Sequence, residues 1–168
     1  MENDLNKPDY IPIIRKSYEK MSEGNNIDGS NNLLLVLGHL AVFQSELANL
    51  SHTNNYFNAE IIYNVVADVS ISYMYIQDVC DIDNNELMFA IKYIEENSIN
   101  SVQMLIMVLA ELQAEIVLFL SNQSNKAHLT NSLAKAIIAT ELAQKMYNIK
   151  DSDLAKIINT KLNYINLQ

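Results

Sequence analysis

From Leu33 onward, apolar residues recur at spacings of three and four, the period of a helix with one face turned to a core. The pattern predicts helices near 32–51, 57–80, 85–97, 101–121, 127–147 and 152–165. Polar breaks separate them at 51–55, 81–85, 97–100, 121–126 and 148–152. Asp83 followed by Glu86 has capping-box spacing: an acceptor for unpaired amides and a carboxylate that can return the bond. Ahead of this series, 10–21 reads as a short helix following Pro8 and Pro12. Residues 22–32, rich in Gly, Asn and Ser, read as a linker ending in helix caps.

Glycine and proline sharpen the fold class. Pro8, Pro12, Gly24, Gly29 and Gly38 are the only ones, and none follows position 38. Tight hairpins and phosphate-cradling loops depend on these residues, so sandwiches, dinucleotide folds and P-loops are disfavoured. An all-α helical bundle is expected. With 168 residues, 49% of them hydrophobic, the chain can bury a core without disulfide or metal staples.

The six helices read as one three-helix unit used twice. The segment from Leu40 to Leu47 matches that from Leu109 to Ile116 at an offset of 69, with Leu, Ala, Gln and Glu coinciding. At an offset of 67, Asn64, Ala67, Ile71, Gln77, Ile82, Leu87 and Ile91 coincide with Asn131, Ala134, Ile138, Gln144, Ile149, Leu154 and Ile158. The expected organisation is an N-terminal segment and linker (1–31), a first repeat (32–100) and a second repeat (101–168), packed as one pseudo-twofold bundle.

Charge narrows the partners. Eleven Lys and Arg against twenty Asp and Glu give a net charge of −9, and Arg15 is the only arginine. Phosphate neutralisation needs cations, so direct nucleic-acid binding is not expected. Cys80 stands alone, which rules out an intrachain disulfide and fits a reducing compartment. No basic and apolar leader opens the sequence, and a cytoplasmic location is expected. The run 102–120 is about long enough to span a bilayer, but Glu111 and Glu115 near its middle argue for a buried helix in a bundle and no membrane.

The second unit carries a family resemblance. Its helix from Leu109 to Ile116, then Asn125-Lys126-Ala127-His128-Leu129, Met146-Tyr147-Asn148-Ile149 and Lys161-Leu162-Asn163 resemble the MazG-like all-α nucleoside triphosphate pyrophosphohydrolases in order and spacing. The resemblance covers 102–165 directly and 33–97 through the repeat. In that family an ExxE on one helix and an ExxD on the next hold Mg²⁺. Carboxylates three residues apart share a helix face, so two such helices present four oxygen ligands to a hard cation. The metal then clamps the triphosphate and activates the attacking water.

Carried onto this chain, those motifs fall in the first unit on His39, Val42, Val65 and Asp68. In the second they fall on Val108, Glu111, Ser132 and Lys135. Each set keeps one acidic ligand of four, too few to hold Mg²⁺ tightly. The substitutions suggest that Lys135 meets Glu111, and His39 meets Asp68, in partly buried pairs where metal once supplied the charge.

Other residues have weaker claims. Glu46 and Glu115 sit at equivalent positions and could border a pocket, although solvated or capping roles suit them better. Lys161 and Asn163 match a C-terminal pattern that touches nucleotide in the family. Glu141 matches an acidic family position; His128 reads as a contact at a helix start and His52 as a loop residue. Tyr63, Tyr73 and Tyr75 read as core before interface or base-stacking slot. The three histidines do not make a metal set.

The leading expectation is a catalytically degenerate relative of these hydrolases that acts by binding, with no cofactor. Its object would be a nucleotide-type small molecule or a host protein, as suits a phage or mobile-element counter-defence product, and a homodimer is compatible. The alternatives are an active Mg²⁺-dependent pyrophosphohydrolase with a rebuilt site using Glu111, Glu115, Glu141 or Asp68, and an acidic nucleic-acid mimic.

Overall fold

The computed structural model describes residues 10–24, 32–52, 59–94 and 102–166, and these are helical with short connections. The helices are α1 (Ile11–Gly24), α2 (Asn32–His52), α3 (Ala59–Val79), α4 (Asn84–Tyr93), α5 (Val102–Leu120), α6 (Lys126–Met146) and α7 (Asp151–Asn166). Among the described residues there is no strand. The ends lie within a few residues of the sequence expectation, with three differences. Positions 22–24 continue α1, α2 runs through His52, and α4 closes at Tyr93, the rest of its expected length lying outside the described residues.

Helix ends follow from local chemistry. Asp83 caps α4 by accepting from the amides of Asn85 and Glu86, which also holds its carboxyl below the usual carboxylate range. Asn125 caps α6 by accepting from the amide of His128. At the end of α3, Asp81 takes a left-handed conformation (φ 50°), and the amides of Asp81 and Ile82 bond to the carbonyls of Asp78 and Gln77. At the end of α6, Asn148 (φ 52°) and Ile149 bond to Lys145 and Gln144 in the same way. Asp and Asn tolerate this left-handed geometry better than other non-glycine residues, and Ile82 and Ile149 bury behind the two turns.

Packing joins α2 to α3 and α5 to α6 as hairpins, and α2 crosses α5 while α3 crosses α6. The short helices are exchanged: α4 lies on α6, and α7 lies on α3. The Gln44 amide donates to the carbonyl of Ile106 at 2.9 Å, and the Gln113 amide to that of Leu37 at 3.4 Å, so α2 and α5 run antiparallel. Between α3 and α6, the hydroxyls of Tyr73 and Thr140 meet at 2.9 Å in a fully buried contact. Leu40, Leu47, Leu109, Leu112, Ile116, Leu129 and Leu133 fill the centre with no exposed surface. Each such side chain contributes roughly 1.5–3 kcal/mol of hydrophobic stabilisation.

The 102–120 helix, expected to be buried in the bundle, is buried along one face. Both α2 (Asn32–Leu50) and α5 (Gln103–Leu120) are long and apolar enough to cross a membrane, yet only 28% and 22% of those windows are buried. Each turns one face to the core and leaves the other open, where Val42 and Met107 are exposed.

α1 is an integral part of the bundle. Its stripe of Ile14, Ser17 and Tyr18 is buried against α2, α3 and α7. Arg15 fastens it with a two-pronged ion pair to Asp78 on α3, at 2.5 and 2.6 Å.

Candidate functional site

Where α1 meets α2, α3 and α7, the helices border a partly open cavity of about 490 Å³. α1 contributes Ser17, Tyr18 and Met21, and α2 contributes His39 and Phe43. The opposite side is built by Asp68, Ile71 and Ser72 of α3 and by Thr160, Lys161 and Tyr164 of α7. The cavity therefore gathers two of the four first-unit motif positions, His39 and Asp68, together with Lys161. The other two do not join it: Val65 is packed in the core and Val42 points to solvent.

His39 and Asp68 share the cavity, but the carboxylate's ion-pair partner is Lys161, whose ammonium lies 2.9 Å away. Both side chains are about a quarter exposed (27% for Asp68, 26% for Lys161), so this pair is screened less than a surface one. Burial pushes the His39 pKa below its ordinary value, against the opposing attraction of Asp68, which leaves a neutral imidazole near pH 7. Its Nδ1 lies 3.4 Å from the Tyr18 hydroxyl, and the ring is tilted against Phe43 with centroids 6.3 Å apart.

Tyr18 is the fixed wall. Its ring stacks on Tyr75 with centroids 3.8 Å apart and planes 12° from parallel, and its hydroxyl also lies 3.4 Å from that of Ser72. Burial raises the Tyr18 pKa to about 12, so the phenol stays protonated and can donate. Sequence reasoning missed Tyr18, Ser17 and Phe43 as site residues. The available signal was the spacing of Ile14, Ser17, Tyr18 and Met21, which marks one helical face without saying what that face covers.

None of the cavities described here is lined by Val108, Glu111, Ser132 or Lys135. Lys135 and Glu111 do form an ion pair, but their side chains are 42% and 47% exposed, so the expected partial burial is corrected to a surface pair. Ser132 is buried and Val108 is half-buried against the core. Among the described residues, α1 packs on α2, α3 and α7, the side on which His39 and Asp68 lie.

Glu46, Glu141, His128 and Asn163 are exposed, and Glu115 accepts a hydrogen bond from Ser124 in the turn before α6. Tyr73 faces α6 and Tyr75 faces α1, so both tyrosines belong to packing contacts. Among the described residues no group of three or more His, Cys, Asp or Glu side chains converges as metal ligands would.

A second cavity of about 690 Å³ lies between α4 and the start of α6, with Glu86, Phe89, Tyr93 and Lys126 on its walls. Phe89 and Tyr93 lean together with centroids 4.5 Å apart, and both are largely exposed, as is Met88. Comparison with family models, with characterised proteins and with solved structures finds no match to this chain.

Proposed function

We propose that this chain is a catalytically degenerate relative of the MazG-like pyrophosphohydrolases that binds a nucleotide-type small molecule without hydrolysing it. The two units would be duplicated repeats about a pseudo-twofold axis. Three observations support that arrangement. The left-handed turns at Asp81 and Asn148 lie 67 positions apart and have the same hydrogen bonds. Tyr73 and Thr140, also 67 apart, touch each other. Gln44 and Gln113, 69 apart, bond to carbonyls of Ile106 and Leu37 that are themselves 69 apart.

The observation that carries the functional reading is the Asp68–Lys161 pair inside this partly open cavity. The resemblance puts Mg²⁺-binding carboxylates at His39, Val42, Val65 and Asp68. Here the one carboxylate is occupied by an ammonium, Val65 is buried and Val42 faces solvent. That donor set does not fit Mg²⁺, which needs several oxygen ligands in near-octahedral array. What remains is an apolar recess with hydroxyls and a neutral imidazole at defined positions, the usual make-up of a small-molecule site.

Two assays run together test the reading. Deoxynucleoside and nucleoside triphosphates incubated with Mg²⁺ or Mn²⁺ should release no pyrophosphate. A panel of bases, nucleosides, nucleotides and signalling nucleotides should contain members that raise the melting temperature, because ligands binding only the folded state stabilise it. Pyrophosphate release abolished by Glu111→Gln would instead establish the active hydrolase.

Protein binding is a second reading, favoured by one observation. Met88, Phe89 and Tyr93 expose a contiguous apolar and aromatic face on α4, of the composition found at interaction surfaces. Partner capture lost on Phe89→Ser, with nucleotide binding intact, would support it.

A further inference from the structure

Resting on the proposal that the cavity between α1, α2, α3 and α7 binds a nucleotide-type molecule, we infer that it selects an uncharged nucleoside over the corresponding triphosphate. The inference comes from charge balance. Asp68 and Lys161 are the charged groups among the described lining residues; they neutralise each other at 2.9 Å, and the His39 imidazole is uncharged near neutral pH. A triphosphate brings several negative charges. To bind, it would have to pull Lys161 from Asp68, leave that carboxylate unpaired beside the phosphates, and do so in a chain of net charge −9. Charge-assisted phosphate recognition normally recruits Arg, several Lys or a metal, and the lining supplies one lysine already engaged.

A nucleoside meets none of these costs and uses what is present. Its planar base matches an aromatic enclosure in which Phe43 and His39 form one wall and Tyr18 is held rigid by Tyr75. Base and sugar carry the donors and acceptors that the remaining polar groups can pair with. Asp68 accepts from an amino, imino or hydroxyl group while keeping its bond to Lys161, because a carboxylate has acceptor sites to spare. The hydroxyls of Ser72 and Thr160 donate to the carbonyls of Asp68 and Lys156 and keep lone pairs that can accept. At about 490 Å³ the cavity is within the range of roughly 300–1,000 Å³ that small ligands occupy.

Isothermal titration calorimetry on the full chain, without divalent metal, compares adenosine, guanosine, cytidine, uridine and thymidine with their triphosphates. At least one nucleoside is expected to bind, with its triphosphate at least tenfold weaker. Asp68→Asn should weaken that nucleoside tenfold or more. Tyr164→Ala, at a largely exposed rim position whose loss leaves the core intact, should weaken it several-fold. Lys145→Ala, at an exposed position on α6 away from the cavity, should bind like the unsubstituted chain. Triphosphates binding as tightly as nucleosides, or more tightly, would overturn the selectivity while leaving a nucleotide-binding protein. Nucleoside binding indifferent to both cavity substitutions would overturn the location. Silence from every nucleoside and triphosphate would remove both this inference and the reading beneath it.

Discussion

Gln44 on α2 and Gln113 on α5 reach past each other in opposite directions, each donating its side-chain amide to a backbone carbonyl of the facing helix. The two bonds clamp an otherwise apolar crossing near Leu40 and Leu109, where sliding by one turn would cost little hydrophobic contact but would break both. Gln44→Leu should therefore lower stability by about 1 kcal/mol, the net worth of one hydrogen bond. Because the two bonds pin one helix pair, the Gln44→Leu, Gln113→Leu double variant should deviate from additivity in a urea-melt cycle. Strict additivity with no loss in either single variant would mean that packing alone fixes the crossing.

The two Lys–carboxylate pairs should differ in a stability measurement. Lys135→Met breaks a solvated pair with Glu111 and should change unfolding free energy by less than about 1 kcal/mol. Lys161→Met leaves Asp68 unpaired in a partly buried site and should cost more, about 1–2 kcal/mol. Equal effects in chemical denaturation would contradict the difference in exposure.

His39 should make stability pH-dependent in the mildly acidic range. Its pKa in the folded chain is below the ordinary value of about 6.5, so as pH falls the unfolded chain takes up this proton first. Its contribution is thus undiminished above pH ~6.5 and is lost as pH falls through that value toward the folded pKa. Urea midpoints measured between pH 7.5 and pH 5 should fall less steeply for His39→Gln. An unchanged slope would mean that His39 takes up its proton equally easily in both states.

Cys80 should be chemically quiet. It is buried beside the α3 turn, and burial raises its thiol pKa to about 11 despite the attraction of Lys126. Little thiolate forms at pH 8, and a thiol-exchange reagent should label it only after denaturant is added. Rapid labelling of the native chain would show that the end of α3 opens readily.

The bundle was legible in the sequence because helical periodicity and polar breaks are local signals. The ends of α3 and α6 were placed almost to the residue, since Asp81 and Asn148 are turn formers flanked by long apolar runs. The site was only half legible. Pairing Lys135 with Glu111 succeeded because both lie on neighbouring helices of one hairpin. Assigning His39 to Asp68 missed Lys161, a residue 93 positions away that reaches Asp68 because α7 lies on α3. The exchange of α4 and α7 is a long-range outcome that periodicity does not encode. Neither does it say where α1 will dock.

That docking sets a counting rule for the molecule. If the two units are the matched halves proposed above, the body would offer two like sites, and among the described residues α1 packs over one of them. Ligand should therefore saturate at one molecule per chain along a simple hyperbolic isotherm. Loosening the grip of α1, through Arg15→Ala for example, should speed ligand release and leave that stoichiometry at one.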